Sequence, residues 1–239
     1  MTYSPVLAAV TAGLEVLAAA WALWRGGRRA TIRTIAAILV FLAGYQVTEI
    51  AICSNAGAAG FLPRLAFLVV TWLPPFGVLL IAQLPAVRSR VFTGAAVGMF
   101  AAAAAVAVWI LVDPGFASVS TCSVVFARFT STGSRFLIYA IFYWTGLFLM
   151  LLLSTWGAAR ARGPKERRSL FLVFGGSAAF IVPSLVLTQY VGPAKDALPS
   201  VMCHLAFLLA VALVGIVYVN NSRESSVASP QSRSRDSVV

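Results

Sequence analysis

Seven runs of predominantly apolar residues, each about 20 long, constrain this chain more than any other feature. They cover Ser4–Trp24, Thr31–Cys53, Leu62–Leu84, Phe92–Val112, Arg135–Thr155, Ser169–Val191 and Ser200–Val219. A helix rises about 1.5 Å per residue, so a run of this length matches a hydrocarbon core of about 30 Å. Only a helix satisfies its own backbone over such a run, because barrel strands are about half as long. The expected fold is all-α: a polytopic membrane protein with a seven-transmembrane-helix bundle over residues 1–219. A Ser-rich stretch, 220–239, is expected to form a disordered cytoplasmic tail. Composition agrees. The chain is 60% hydrophobic and 10% charged, with mean hydropathy +0.91, whereas soluble domains are about 25% charged. Met1–Ser4 is too short for the basic start of a cleavable signal, so the first run reads as a retained helix.

The net charge of +11 would suggest nucleic acid in a soluble protein. Here the basic residues fall between apolar runs and read as topology signals, so no nucleic-acid partner is expected. The set Arg25, Arg28, Arg29, Arg33, Arg88, Arg90, Arg160, Arg162, Lys165, Arg167, Arg168, Arg223, Arg233 and Arg235 puts 14 of 18 cations on one side. Arg64, Arg128, Arg135 and Lys195 lie on the other. The positive-inside rule then sets the N-terminus outside and the C-terminus in the cytoplasm. The expected location is the cell inner (plasma) membrane, with the lipid bilayer as the first partner.

Within the second run lies AGYQVTEIAIC, Ala43 to Cys53. A carboxyl group at membrane depth costs several kcal/mol unless it is paired, hydrated or protonated. Glu49 is such a group, and Gln46, Glu49 and Cys53 follow at i, i+3 and i+7, so they share one helical face. Glu15 sits near the middle of the first run. His204, the only histidine, lies one turn into the last run, and Gln189 and Tyr190 end the sixth at the same level. Tyr139, Tyr143 and Trp144 belong to the outer half of the fifth, and Trp72 to the middle of the third. This clustering points to an outward-opening polar cavity with Glu49, Gln46, His204, Tyr143, Trp72 and Gln189 as ligand-binding candidates. Glu15 and Glu49 are candidates for proton coupling. The competing reading makes Glu49 a buried residue that pins helices together by hydrogen bonding.

The third run carries Pro74 and Pro75 in WLPPFG, where two missing donors predict a kink or break. A hinge and a static kink filled by a neighbour both fit, as they do for Pro183. Gly94 and Gly98 stand at GxxxG spacing in the fourth run, a face for a homo-oligomer or for packing within the protein. The long outer loop, Asp113 to Ser134, is polar and can fold over the mouth of the bundle as a lid. Its Cys122 is a disulfide candidate for Cys53. Pairing with Cys203, or three free thiols, are the alternatives.

Signatures of catalysis are absent. One histidine cannot build a multi-His zinc site, and there is no HExxH or CxxC. No lysine in the last run can carry a retinal Schiff base. No enzyme activity, metal or cofactor is expected.

The opening Met-Thr-Tyr-Ser, GYQVTEIAIC, WLPPFGVLLIAQ and SVMCHLAFLLAVALVGIVY together resemble a family of small bacterial seven-helix membrane proteins. That family opens Met-Cys-Phe-Ser, carries Gln-x-x-Glu in its second helix, and has a cysteine in its last. Gln46, Glu49 and Cys203 match those positions. Thr2, Cys53 and His204 depart, standing where the family has Cys, Trp and an aromatic. The resemblance implies the seven-helix fold and a bacterial membrane, and no activity. The third run also resembles the seven-helix sensor regions that precede bacterial histidine kinases. The functional expectation is a receptor-like or sensor-like binder of an unknown small molecule. A proton-coupled small-solute transporter using Glu15 and Glu49 is the first alternative, and a structural protein with a dry core the second.

Overall fold

A computed structural model describes residues 4–26, 29–54, 61–84, 89–122, 127–130, 133–190 and 198–221. The expected disordered tail falls almost wholly outside these residues. So do Arg28, Arg88 and Lys195, and the side chains of Arg128 and Gln189.

Among the described residues, seven helices are long and apolar enough to cross a membrane. The first two are α1 (Val6–Gly26) and α2 (Ala30–Ser54). The third is divided into α3 (Phe61–Thr71) and α4 (Leu73–Ala82). The break falls at Trp72, so Pro74 and Pro75 lie in the first turn of α4, where a helix has no use for their missing N–H groups. The Phe76 amide still donates to the Trp72 carbonyl at 3.2 Å. Next come α5 (Arg90–Val112), α6 (Gly133–Arg160) and α7 (Pro164–Tyr190), whose Pro183 stays within a continuous helix. The last span is α8 (Leu198–Leu205) followed by α9 (Phe207–Asn221). Backbone bonds carry across that junction, from Ala206 to Met202 and from Ala210 to Ala206.

On α1 the packing is inverted relative to a water-soluble protein. On α1, Leu7, Val10, Leu14 and Leu17 are exposed, while Ala8, Ala12, Glu15, Ala19 and Ala22 are buried. Small residues at that spacing let helix backbones approach closely, and the large apolar ones are left to face lipid. The spans close into a ring in chain order. α1 packs on α2 and α9, α4 on α5 and α6, α6 on α7, and α7 on α8 and α9. The second, third and seventh spans are the most buried.

The kinked third span is tightly held. A Cβ built at Gly146 of α6 would collide with the Pro74 ring, and one at Gly77 would collide with Met150. Gly146 is therefore needed for α4 and α6 to touch, whereas Met150 can shift from Gly77, and the contact at Pro74 favours a kink filled by its neighbour. Gly94 and Gly98 are different: nothing lies within 4 Å of either added Cβ, and their face of α5 is open.

The loop after α5 adds a hairpin to this helical chain. Strands β1 (Ser118–Cys122) and β2 (Ala127–Thr130) pair antiparallel, with a register irregularity between Val119 and Thr121. Arg135 clasps the loop entrance, reaching Asp113 at 3.1 Å and the Gly115 carbonyl at 2.8 Å. Cys122 is disulfide-bonded to Cys53 at the end of α2. Phe116, Ala117, Ala127 and Phe129 are buried. Phe116 and Phe129 meet Phe67 edge-on, with Trp109 and Tyr139 completing an aromatic plug. The hairpin is thus a seated lid over one end of the bundle.

Candidate functional site

Directly under the lid, α2 carries Tyr45, Gln46 and Glu49 on its inward face, all essentially inaccessible to solvent. Cys53 stands one turn beyond Glu49, so the disulfide anchors the hairpin immediately above the carboxyl group. Glu49 Oε2 accepts a hydrogen bond from Ser200 Oγ of α8 at 2.6 Å, linking the second and seventh spans. The Tyr45 hydroxyl and the Ala127 backbone of the hairpin also approach this carboxyl group. Glu49 Oε1, Tyr45 Oη and both atoms of the Gln46 amide are buried without a hydrogen bond. Such groups are scarce in folded proteins, since leaving one unsatisfied costs about 1–3 kcal/mol.

His204 lies one turn further along α8. Its Nδ1 is 2.8 Å from the Ser200 carbonyl oxygen. A carbonyl oxygen only accepts, so this contact is a hydrogen bond when Nδ1 carries the proton. Glu49 and His204 are thereby connected through Ser200, by its side chain on one side and its backbone on the other. Ser200 and Tyr45 were not among the residues singled out from the sequence. Tyr45 lies at i−4 from Glu49, and that spacing was a legible signal. For Ser200 there was none, since it is simply the polar start of an apolar run.

Glu15 is completely buried on α1, and neither of its oxygens has a partner. Both Glu15 and Glu49 are near enough to act electrostatically on the buried, free thiol of Cys203.

Two small crevices adjoin Cys203, with room for water-sized occupants of about 20 Å³ and about 40 Å³. Tyr143, Met202 and Cys203 line both, and the remaining walls are almost entirely apolar. Tyr143 stacks on Tyr139, with ring centroids 5.9 Å apart. Trp72 packs on Phe100 of α5 and does not line either crevice. The structure thus gathers Glu49, Gln46 and His204 beneath the lid and sets Tyr143 beside the crevices, while Trp72 packs toward α5. The arrangement places the carboxyl groups of Glu15 and Glu49, the Gln46 amide, the phenols of Tyr45 and Tyr143 and the His204 imidazole in a largely apolar interior. In comparisons with known proteins, no family model and no curated protein matches the chain.

Proposed function

We propose that this chain is a multi-pass protein of a bacterial inner (plasma) membrane, with its N-terminus outside and the hairpin as an outer lid. The arginine-rich end then faces the cytosol. Two of the few cations at the lid end are engaged structurally, because Arg64 donates to the Leu111 carbonyl at the end of α5 and Arg135 clasps Asp113. Their charge is accounted for without a cytoplasmic location.

Under that lid, the protein binds a small molecule and acts as a receptor-like or sensor-like protein rather than as an enzyme. One observation carries this reading: both atoms of the Gln46 amide are enclosed and unpaired beside the buried carboxyl group of Glu49, with Ser200, Tyr45 and the Ala127 backbone close by. A ligand that offers both a donor and an acceptor would satisfy both amide atoms at once. The crevices beside Tyr143, Met202 and Cys203 admit only a few atoms of it, so the ligand is small. A thermal-shift screen on the purified protein tests this. A stabilising compound is expected to lose its effect in Glu49→Gln and to be weakened in His204→Ala. Binding left intact in both variants refutes the site, and a screen without any stabilising compound favours a packed structural protein.

The transporter reading has its own observation, the buried and unpaired carboxyl group of Glu15. In that reading Glu15 and Glu49 pass a proton during solute movement. Proteoliposome flux that follows a pH gradient and stops in Glu15→Gln supports it. Flux indifferent to pH, or none, sinks it.

A further inference from the structure

At the opposite end of the bundle lies a polar cleft with a volume of about 260 Å³. That is far above the ~10–15 Å³ needed for a single water, and several times the crevices under the lid. It forms where α2 and α7 begin and where α4 and α9 end. Two helix N-termini therefore meet there, those of a 25-residue and a 27-residue helix. Each offers first-turn amides and a partial positive charge, which the carbonyl ends of α4 and α9 oppose.

The side chains add to that field. Arg29 and Lys165 line the cleft from α2 and α7, and Thr31 and Gln83 add polar groups from α2 and α4. The acid in the wall is Glu166. Its carboxyl group turns toward Gly163 at the start of its own helix, where it complements that helix's dipole. Thr34 donates to Gln83 Oε1 at 3.1 Å, and Asn220 donates to the Ile216 carbonyl.

Ser169 supplies the independent observation. It lines the cleft, is 1% exposed, and its hydroxyl has no hydrogen bond. Thr48, Thr71 and Ser184 bond back to the carbonyl one turn earlier, whereas Ser177, further along α7, is also buried without a hydrogen bond but does not line this cleft. Ser169 forgoes that bond on the wall of a cleft that Arg29 and Lys165 also line. A buried hydroxyl left unpaired there is accounted for by an occupant that accepts from it.

We propose that this cleft is a binding site for a phosphoryl group, held by Arg29, Lys165 and the Ser169 hydroxyl at the converging starts of α2 and α7. Several donors arriving from different helices suit a tetrahedral anion with several oxygens better than a planar carboxylate. The same chemistry is offered by free phosphate compounds and by phospholipid headgroups, since the cleft lies at the end of the apolar spans. The site is separate from the compartment under the lid and does not depend on how that compartment is used.

The test uses the full-length purified protein. In detergent, inorganic phosphate is titrated against chloride at matched ionic strength and thermal unfolding is recorded. In parallel, the protein is reconstituted in phosphatidylcholine alone or with phosphatidic acid. Stabilisation by phosphate in detergent identifies a soluble source, and stabilisation by phosphatidic acid alone identifies a headgroup. Lys165→Gln and Ser169→Ala should each weaken the effect, the first by about tenfold. Lys165 is exposed, so its loss leaves folding intact. Arg90→Gln, which removes a cation of the same end outside the cleft, should change nothing. If neither phosphate nor phosphatidic acid stabilises the protein, the proposal is wrong. It is equally wrong if Arg90→Gln weakens the effect as much as Lys165→Gln.

Discussion

Ser200→Ala is the most informative single change, because it strips Glu49 of the one hydrogen bond that its carboxyl group makes with good geometry. The serine is fully buried, and alanine removes a single oxygen without opening a sizeable cavity. What changes is the satisfaction of Glu49: Oε1 already lacks a partner, and Oε2 would join it. Removing a hydrogen bond to a buried carboxyl group costs about 1.5–3 kcal/mol in soluble proteins. Interhelical hydrogen bonds in membranes average nearer about 0.6 kcal/mol, with an upper limit of about 1.7. The Glu49–Ser200 pair belongs at the upper end of the membrane range. It is short, wholly enclosed, and joins two helices that have few other polar contacts. A double-mutant cycle with Glu49→Leu isolates the term. Ser200→Ala alone should cost about 1.5 kcal/mol. In the Glu49→Leu background it should cost nearly nothing, since both partners are then apolar. Reversible unfolding in mixed micelles, followed by helicity, measures all four proteins. Equal costs in the two backgrounds would mean that Glu49 does not depend on Ser200, and the connection drawn here from α2 to α8 would be wrong.

Two other expectations concern the lid and the kink. Reducing the Cys53–Cys122 bond should raise hydrogen exchange in Ala127–Thr130 without unfolding the bundle. Buried Phe116 and Phe129 each contribute about 1.5–3 kcal/mol, and the helices between the cysteines stay in place, so the lost stability should fall at or below the usual ~2–4 kcal/mol. Unchanged exchange would show that the disulfide does not hold the hairpin. Gly146→Ala should cost about 1–3 kcal/mol, because the Pro74 ring cannot rotate away from the added methyl group. Gly98→Ala should be neutral or gain up to about 1 kcal/mol, since its Cβ meets nothing. A Gly146→Ala protein as stable as the native one would mean that the third span moves freely past α6.

Much of the architecture was legible before any coordinates. Span length and number, the break at WLPPFG, the arginine-rich end and the shared face of Gln46, Glu49 and Cys53 follow from chain-local rules. Hydropathy sums along a segment, proline removes a donor wherever it stands, and helical periodicity fixes which neighbours share a face. The hairpin was legible only as a loop able to cover the bundle. The Ser200 bond to Glu49, the approach of Tyr45 and Ala127, the apolar lining of the crevices and the cleft at Ser169 were decided by tertiary structure alone. Apolar helix surfaces say little about how far one helix is rotated or slid against the next. A rotation of one residue's arc would give Glu49 a different partner. That choice rests on close packing across the whole bundle, of small residues on α1 and large apolar ones elsewhere, and no single segment of the chain contains it.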